Sequence, residues 1–165
     1  MSLELTIRSR QHVRALNRRL LRQIIEAVLT EYLQLEQVEL GVTLVGAAEM
    51  ARVNWQFLQH EGSTDVITFD HTEAQASRKS AAAARREICG ELYVCVDDAV
   101  MQARSFRTTW QSEIVRYIVH GILHLCGHDD HRAAARRVMK CEENRLVRRL
   151  KKGFAFRSLA KSKAR

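Results

Sequence analysis

Four histidines and two aspartates fall within thirteen residues, VHGILHLCGHDDH at 119–131, in a chain with seven histidines in all. His120 and His124 stand at i and i+4, a spacing that puts two side chains on one helix face, one turn apart. Two imidazoles at that separation can hold one Zn²⁺. A third ligand has to come from beyond the helix, because a further turn would carry it past the ion. Gly127 supplies a helix stop, and the chain that folds back behind it brings residue 130 or 131 within reach. Asp130 and His131 are therefore the candidates for the third ligand.

The plainer reading of a buried histidine is one satisfied by a backbone carbonyl. Here it has to explain two of them on an otherwise apolar helix, each costing roughly 1–3 kcal/mol if left unpaired. A shared metal explains both. The spacing also runs in register with the zinc-protease pattern H-E-x-x-H-x-x-G-x-x-H, with Gly121 in place of the catalytic Glu and Asp130 in place of the third His. Without that Glu the protease general base is missing, which counts against peptide hydrolysis. Hydrolysis would instead rest on the metal, with His120 and His124 acting through the metal-bound water. An Asp ligand leaves the site less positive than three histidines would, so the site would tolerate harder ions such as Mn²⁺. Cys126, inside the stretch, reads as a small buried apolar residue.

These residues need a buried helix to hold them, and 112–126 supplies one: it is apolar nearly all round. Ahead of it, 3–8, 38–46, 66–69 and 91–96 read as strands, with Gly90 at the entry of the last. Residues 14–33 and 47–58 carry helical periodicity, and Asp97 or Asp98 can cap a helix running to about 107. A last helix, 132–152, turns Val138, Met139, Leu146, Val147 and Leu150 inward. Residues 71–86 read as an exposed loop or frayed helix. Four strands and about five helices in mixed order predict an α+β fold, a small mixed sheet covered by helices with the metal site at the end of a buried helix. The expected organisation is a single domain over 1–152 and a basic, flexible tail over 153–165.

Composition narrows the class. With 46% hydrophobic and 28% charged residues the chain is globular, and no apolar run approaches the roughly 18 residues of a membrane span. The N-terminus has no export pattern. Cys89, Cys95, Cys126 and Cys141 form no C-x-x-C pair and read as reduced thiols of a cytoplasmic protein. The net charge of +8 is unevenly spread. Residues 132–165 hold thirteen Lys or Arg against two Glu, a balance of +11, which leaves −3 on the rest. A basic block of that size is an electrostatic footprint for nucleic acid.

Three blocks of this sequence together resemble the YbeY family of bacterial metal-dependent endoribonucleases. HGILHLCGHDD (120–130) is similar to the family signature H-G-x-L-H-L-x-G-Y-D-H, TDVITF (64–69) to T-D-V-L-S-F, and GELYV (90–94) to G-D-I-x-I. The blocks keep the family's order over roughly 40–145. The resemblance implies a small α+β fold with one zinc ion, cleavage of single-stranded RNA in 16S rRNA 3′-end maturation, and a role in ribosome quality control. Its partners would be ribosomal RNA and the small ribosomal subunit, with no membrane. The register makes the metal ligands His120, His124 and Asp130, with His131 the alternative third ligand. Asp130 departs from the usual His, and His128 from the usual Tyr. Leu58 stands where many members have a functional Arg, a role that His60 could share. Thr64 and Asp65 read as turn-formers or as neighbours of the cleft, and Asp129 as an orienting partner for an imidazole or a solvated loop residue. A rival reading is a ribosome-associated RNA-binding factor with a structural metal, for which His131 or Cys126 would supply a fourth ligand.

Overall fold

The computed structural model describes residues 1–72 and 86–161. Strand β1 (Ser2–Ser9) is followed by helix α1 (Arg18–Glu26), whose last turns widen into a π-helical segment, Ala27–Tyr32. Then come β2 (Gln37–Val45), α2 (Ala47–Leu58), β3 (Val66–Asp70), β4 (Glu87–Cys95), α3 (Val96–Phe106), α4 (Trp110–Leu125) and α5 (Ala133–Gly153). The sheet order is β1-β2-β4-β3, with β1, β2 and β4 parallel and β3 antiparallel at the edge. This is the α+β fold expected. Most of the loop or frayed helix expected at 71–86 lies outside the described residues.

Strand alternation sends Val38, Leu40, Val42 and Leu44 of β2, with Ile88, Leu92 and Val94 of β4, into the main core. Helices α1 and α4 cover that face. Val45, Met50, Val53, Ile67 and Cys95 form a smaller core that seats α2. Gly90 lies inside β4, because pairing with β2 starts three residues earlier, at Glu87. A Cβ at Gly90 would stand 2.5 Å from the Phe69 carbonyl oxygen and 2.6 Å from Leu125 Cδ2. The bare glycine lets the C-terminal end of α4 sit down on the sheet.

One capping expectation changes. Helix α3 begins one residue after Cys95, so Asp97 and Asp98 lie in its first turn and do not cap it. Asp97 Oδ2 instead accepts the Ala47 N–H at 2.6 Å, which caps α2, whose own Gly46 has no side chain to do so. Val138 is also corrected: it is 61% exposed. Met139, Leu146, Val147 and Leu150 define the inward stripe of α5, and Val138 lies a residue off it, about 100° round the helix. Beyond α5, Phe156 and Leu159 are buried through a short 3₁₀ turn, and Leu16 bridges Ala160. The described part of the segment expected as a tail is thus packed on the domain, because two apolar residues at i and i+3 find a pocket in the core.

Candidate metal centre

Between Gln111 and Leu125, helix α4 buries every residue except Arg116, His120 and His124. These stand at i, i+4 and i+8, a single polar stripe on a buried helix. The helix ends in a Schellman turn. The Gly127 N–H bonds the His124 carbonyl at 2.9 Å, and the His128 N–H bonds the Leu123 carbonyl at 3.0 Å. That turn needs a positive φ, and Gly127 has φ +94°.

The turn also places the His128 carbonyl 3.0 Å from His124 Nδ1, and Glu143 Oε2 of α5 lies 2.9 Å from His120 Nδ1. Both Nδ1 atoms therefore donate, and both Nε2 atoms present lone pairs. Those two Nε2 atoms are 3.1 Å apart. Asp130 Oδ2 lies 3.8 Å from His120 Nε2 and 3.5 Å from His124 Nε2. The edge of a tetrahedral zinc shell is about 3.3 Å for bonds of about 2.0–2.1 Å. Two bare nitrogens and a carboxylate at these separations repel one another and fit a shared cation. Their donor set, two imidazoles and one carboxylate, suits Zn²⁺ and harder divalent ions.

His120, His124 and Asp130 form one such group, and Asp129, Asp130 and His131 form a second among the described residues. His131 does not join the two histidines: its side chain is 89% exposed and faces Asp129 at 3.8 Å. Cys126 belongs to neither group, and burial, with Asp70 nearby, pushes its thiol up to about 12. Asp129 accepts the His131 N–H at 3.0 Å and shapes the loop, and among the described residues it makes no hydrogen bond to the ring of His120 or His124.

Glu143 is buried beneath the site. Its Oε1 accepts from Arg116 Nη1 at 2.6 Å and Lys140 Nζ at 2.9 Å, and its Oε2 from His120. Burial opposes its ionisation, but the hydrogen bonds from His120, Arg116 and Lys140 outweigh burial and hold the carboxyl down at about 2. Sequence reading missed Glu143 and Arg116. Arg116 was in reach, since the same four-residue step that joins His120 to His124 runs back to it.

A cleft of about 570 Å³ opens beside His120 and Asp130, and Arg116, Arg136 and Lys140 line it. Asp65 lines it as well, while its Oδ1 accepts the Val66 N–H at 2.8 Å and the Thr64 hydroxyl at 3.3 Å. Leu58 and His60 are exposed and absent from the cleft, so cations of α4 and α5 stand beside the site where the end of α2 offers none. Gly121 has a packing explanation: a Cβ there would meet Leu92 Cδ2 at 2.6 Å. A glutamate at 121 would have to enter the core.

Fold and site together define a small α+β protein with an open two-histidine, one-carboxylate group beside a cleft lined by both cations and carboxylates. The family model described as Endoribonuclease YbeY matches residues 5–151, and the chain belongs to that family. A Parabacteroides distasonis protein named Endoribonuclease YbeY is 38% identical over 99 residues, 60% of this chain and 62% of that one. A Chlorobium phaeovibrioides protein of the same name is 31% identical over 142 residues, covering 86% and 88%. The solution structure of TM1509 from Thermotoga maritima shares the fold, with a TM-score of 0.63, 24% identity and 90% of each chain covered. No helix among the described residues is long and apolar enough to cross a membrane.

Proposed function

We propose that this chain is a metal-dependent endoribonuclease that cuts single-stranded RNA in the maturation of the 16S rRNA 3′ end, acting in the cytoplasm on the small ribosomal subunit. The observation that carries the reading is the pair of imidazole Nε2 atoms 3.1 Å apart with the Asp130 carboxylate beside them, each ring having an acceptor at its Nδ1. His120, His124 and Asp130 would hold one divalent ion, zinc first and manganese as an alternative. When bound, such an ion supplies positive charge to a phosphodiester and makes a nearby water more acidic.

The chain's own residues do the rest. Glu143 and the His128 carbonyl keep both rings in the ligating tautomer. Arg116, Arg136 and Lys140 along the cleft attract the phosphate backbone and hold it beside His120. Arg116 is fixed by Glu143 at 2.6 Å and Asn144 at 2.7 Å, so its guanidinium is set before RNA arrives. The half-open cleft admits an unpaired strand, whose splayed bases a duplex would keep stacked. A structural-metal, non-cutting factor is the weaker reading, since neither His131 nor Cys126 stands with the three-residue group as a fourth ligand. The relatives' shared name, Endoribonuclease YbeY, also supports cutting.

The test is incubation of zinc-loaded protein with matched single-stranded and duplex RNA, wild type against His120→Ala. Wild type is expected to cut the single strand alone and the variant to cut neither. Equal cutting by both proteins would mark the activity as a contaminant and end the nuclease reading.

A further inference from the structure

The groove between α4 and α5 continues past the cleft beside the metal group. The two helices run antiparallel, with His120 against Glu143, Arg116 against Asn144, and Ser112 sharing a hollow with Lys151. That hollow, of about 420 Å³, lies where the ends of α3 and α5, the start of α4 and the 3₁₀ turn after α5 converge. Arg107, Lys151 and Arg157 line it, with the hydroxyl-bearing Thr109 and Ser112 and the buried Phe156.

Charge sets the hollow apart from the cleft. In the cleft, Arg116, Arg136 and Lys140 are offset by Asp65, Glu113, Asp130 and Glu143. The hollow has three cations and no carboxylate in its lining. The side chains of Arg107, Lys151 and Arg157 make no ion pair or hydrogen bond among the described residues. Three like charges around one concavity repel one another and focus a positive potential into it. The N-terminus of α4 opens on the same hollow and adds the positive end of its dipole. No ion pair within the described fold offsets that repulsion; a bound anion would. Arg107 also ends α3 at φ +54°, a left-handed position that strains an arginine more than a glycine.

Hollow and cleft adjoin, since Thr108 lines both. Steps of four and three along α5 place Arg136, Lys140, Asn144, Arg148 and Lys151 on one flank of the helix. The first two line the cleft, Asn144 bonds Arg116 of α4, and Lys151 lines the hollow. From Ser112 to His120 the helix advances about 12 Å, at about 1.5 Å per residue. A strand with one phosphate at the metal group reaches the hollow within a few nucleotides.

We infer that the hollow is a distal anchor for the RNA strand, in which Arg107, Lys151 and Arg157 hold a backbone phosphate a few nucleotides away from the one at the metal group. The basic flank of α5 is the track between the two. Phosphate contacts of this kind position a strand and read no base. The inference deepens the nuclease reading and rests on it for the phosphate at the metal group.

The test is fluorescence anisotropy of zinc-loaded full-length protein with labelled 2′-O-methyl oligouridylates of increasing length, their integrity checked on a gel. Affinity should step up once the oligomer spans cleft and hollow. Beyond that step, the double variant Lys151→Ala/Arg157→Ala should bind about fivefold more weakly at about 0.1 M salt. Its slope of log Kd against log salt should fall by about 0.7, the share of one phosphate contact on a single strand. The loss should be absent with oligomers below the step. Arg107→Gly should weaken the same long oligomers while the melting temperature stays at or above the wild-type value, since glycine relieves the left-handed turn. The control, Arg8→Ala/Arg52→Ala, removes two exposed charges from the side of the sheet on which α2 packs, and should change neither affinity nor slope. No step with length, an equal loss for short and long oligomers, a loss as large in the control, or no loss at all overturns the anchor. If the length-dependent loss is found but zinc-loaded protein cuts no RNA, the nuclease reading fails and the anchor stands. If RNA is cut and the loss is absent, the anchor falls and the nuclease reading stands.

Discussion

Glu143→Gln probes how the fold keeps His120 ready for a metal. In the wild type, Oε1 of Glu143 faces two cations, Arg116 at 2.6 Å and Lys140 at 2.9 Å, and Oε2 takes the His120 Nδ1 proton at 2.9 Å. A glutamine of nearly the same shape would turn its one carbonyl towards the two cations. Its NH₂ would then face His120, which could accept only by moving its proton to Nε2, the nitrogen that the metal needs. Restoring the ligating tautomer would set two N–H groups against each other and forfeit a charge-assisted hydrogen bond of about 1.5–3 kcal/mol. The expected result is a rise of about 10- to 100-fold in the zinc Kd, the usual size of an outer-partner effect. Competition with a chromogenic chelator measures it, and circular dichroism separates lost affinity from lost fold. A zinc Kd within about twofold of wild type, with His124→Ala binding no zinc, would refute the role given to Glu143.

Gly121→Ala should lower stability: overpacking against Leu92 costs about 1–3 kcal/mol, partly offset by about 1 kcal/mol of helix propensity. The melting temperature should fall by a few degrees, and a rise would show that Leu92 yields. Arg136→Ala should reduce the slope of log Kd for single-stranded RNA against log salt by about 0.7, the share of one phosphate contact; an unchanged slope removes Arg136 from the RNA path. Exposed Cys141 should react first with a thiol reagent at pH 8. Cys95 and Cys126, both pushed up to about 12, chiefly by burial, should stay silent until the protein unfolds, since a thiolate fraction on the order of one in ten thousand is available. Fast labelling of half-buried Cys126 in the folded protein would contradict its raised pKa.

What the sequence disclosed follows from the range over which each signal acts. The H-x3-H step, the apolar helix around it and the stop at Gly127 are local patterns, and α4 with its Schellman turn is where they pointed. The strand alternation of 38–46 likewise marked β2 to within a residue at each end. Contacts between distant segments left no such mark. Glu143 is 23 residues from His120, in a helix whose charge reads as a basic face, and nothing in the spacing says that this carboxylate turns inward. Asp97 lies 50 residues from the helix it caps. The π-helical turns at Ala27–Tyr32 have the same apolar content as an α-helix, so period alone did not separate them. Gly121 was visible as a missing general base, but its reason, the approach of Leu92 across α4 and β4, required the packing.

The most direct measurement is the initial rate of single-stranded RNA cleavage as metal-free protein is titrated with zinc. If His120, His124 and Asp130 hold the ion that cutting requires, the rate should climb in proportion to added metal and level off at about one equivalent, while His124→Ala stays at baseline throughout. A rate that does not depend on metal, or that is the same in His124→Ala as in wild type, would contradict it.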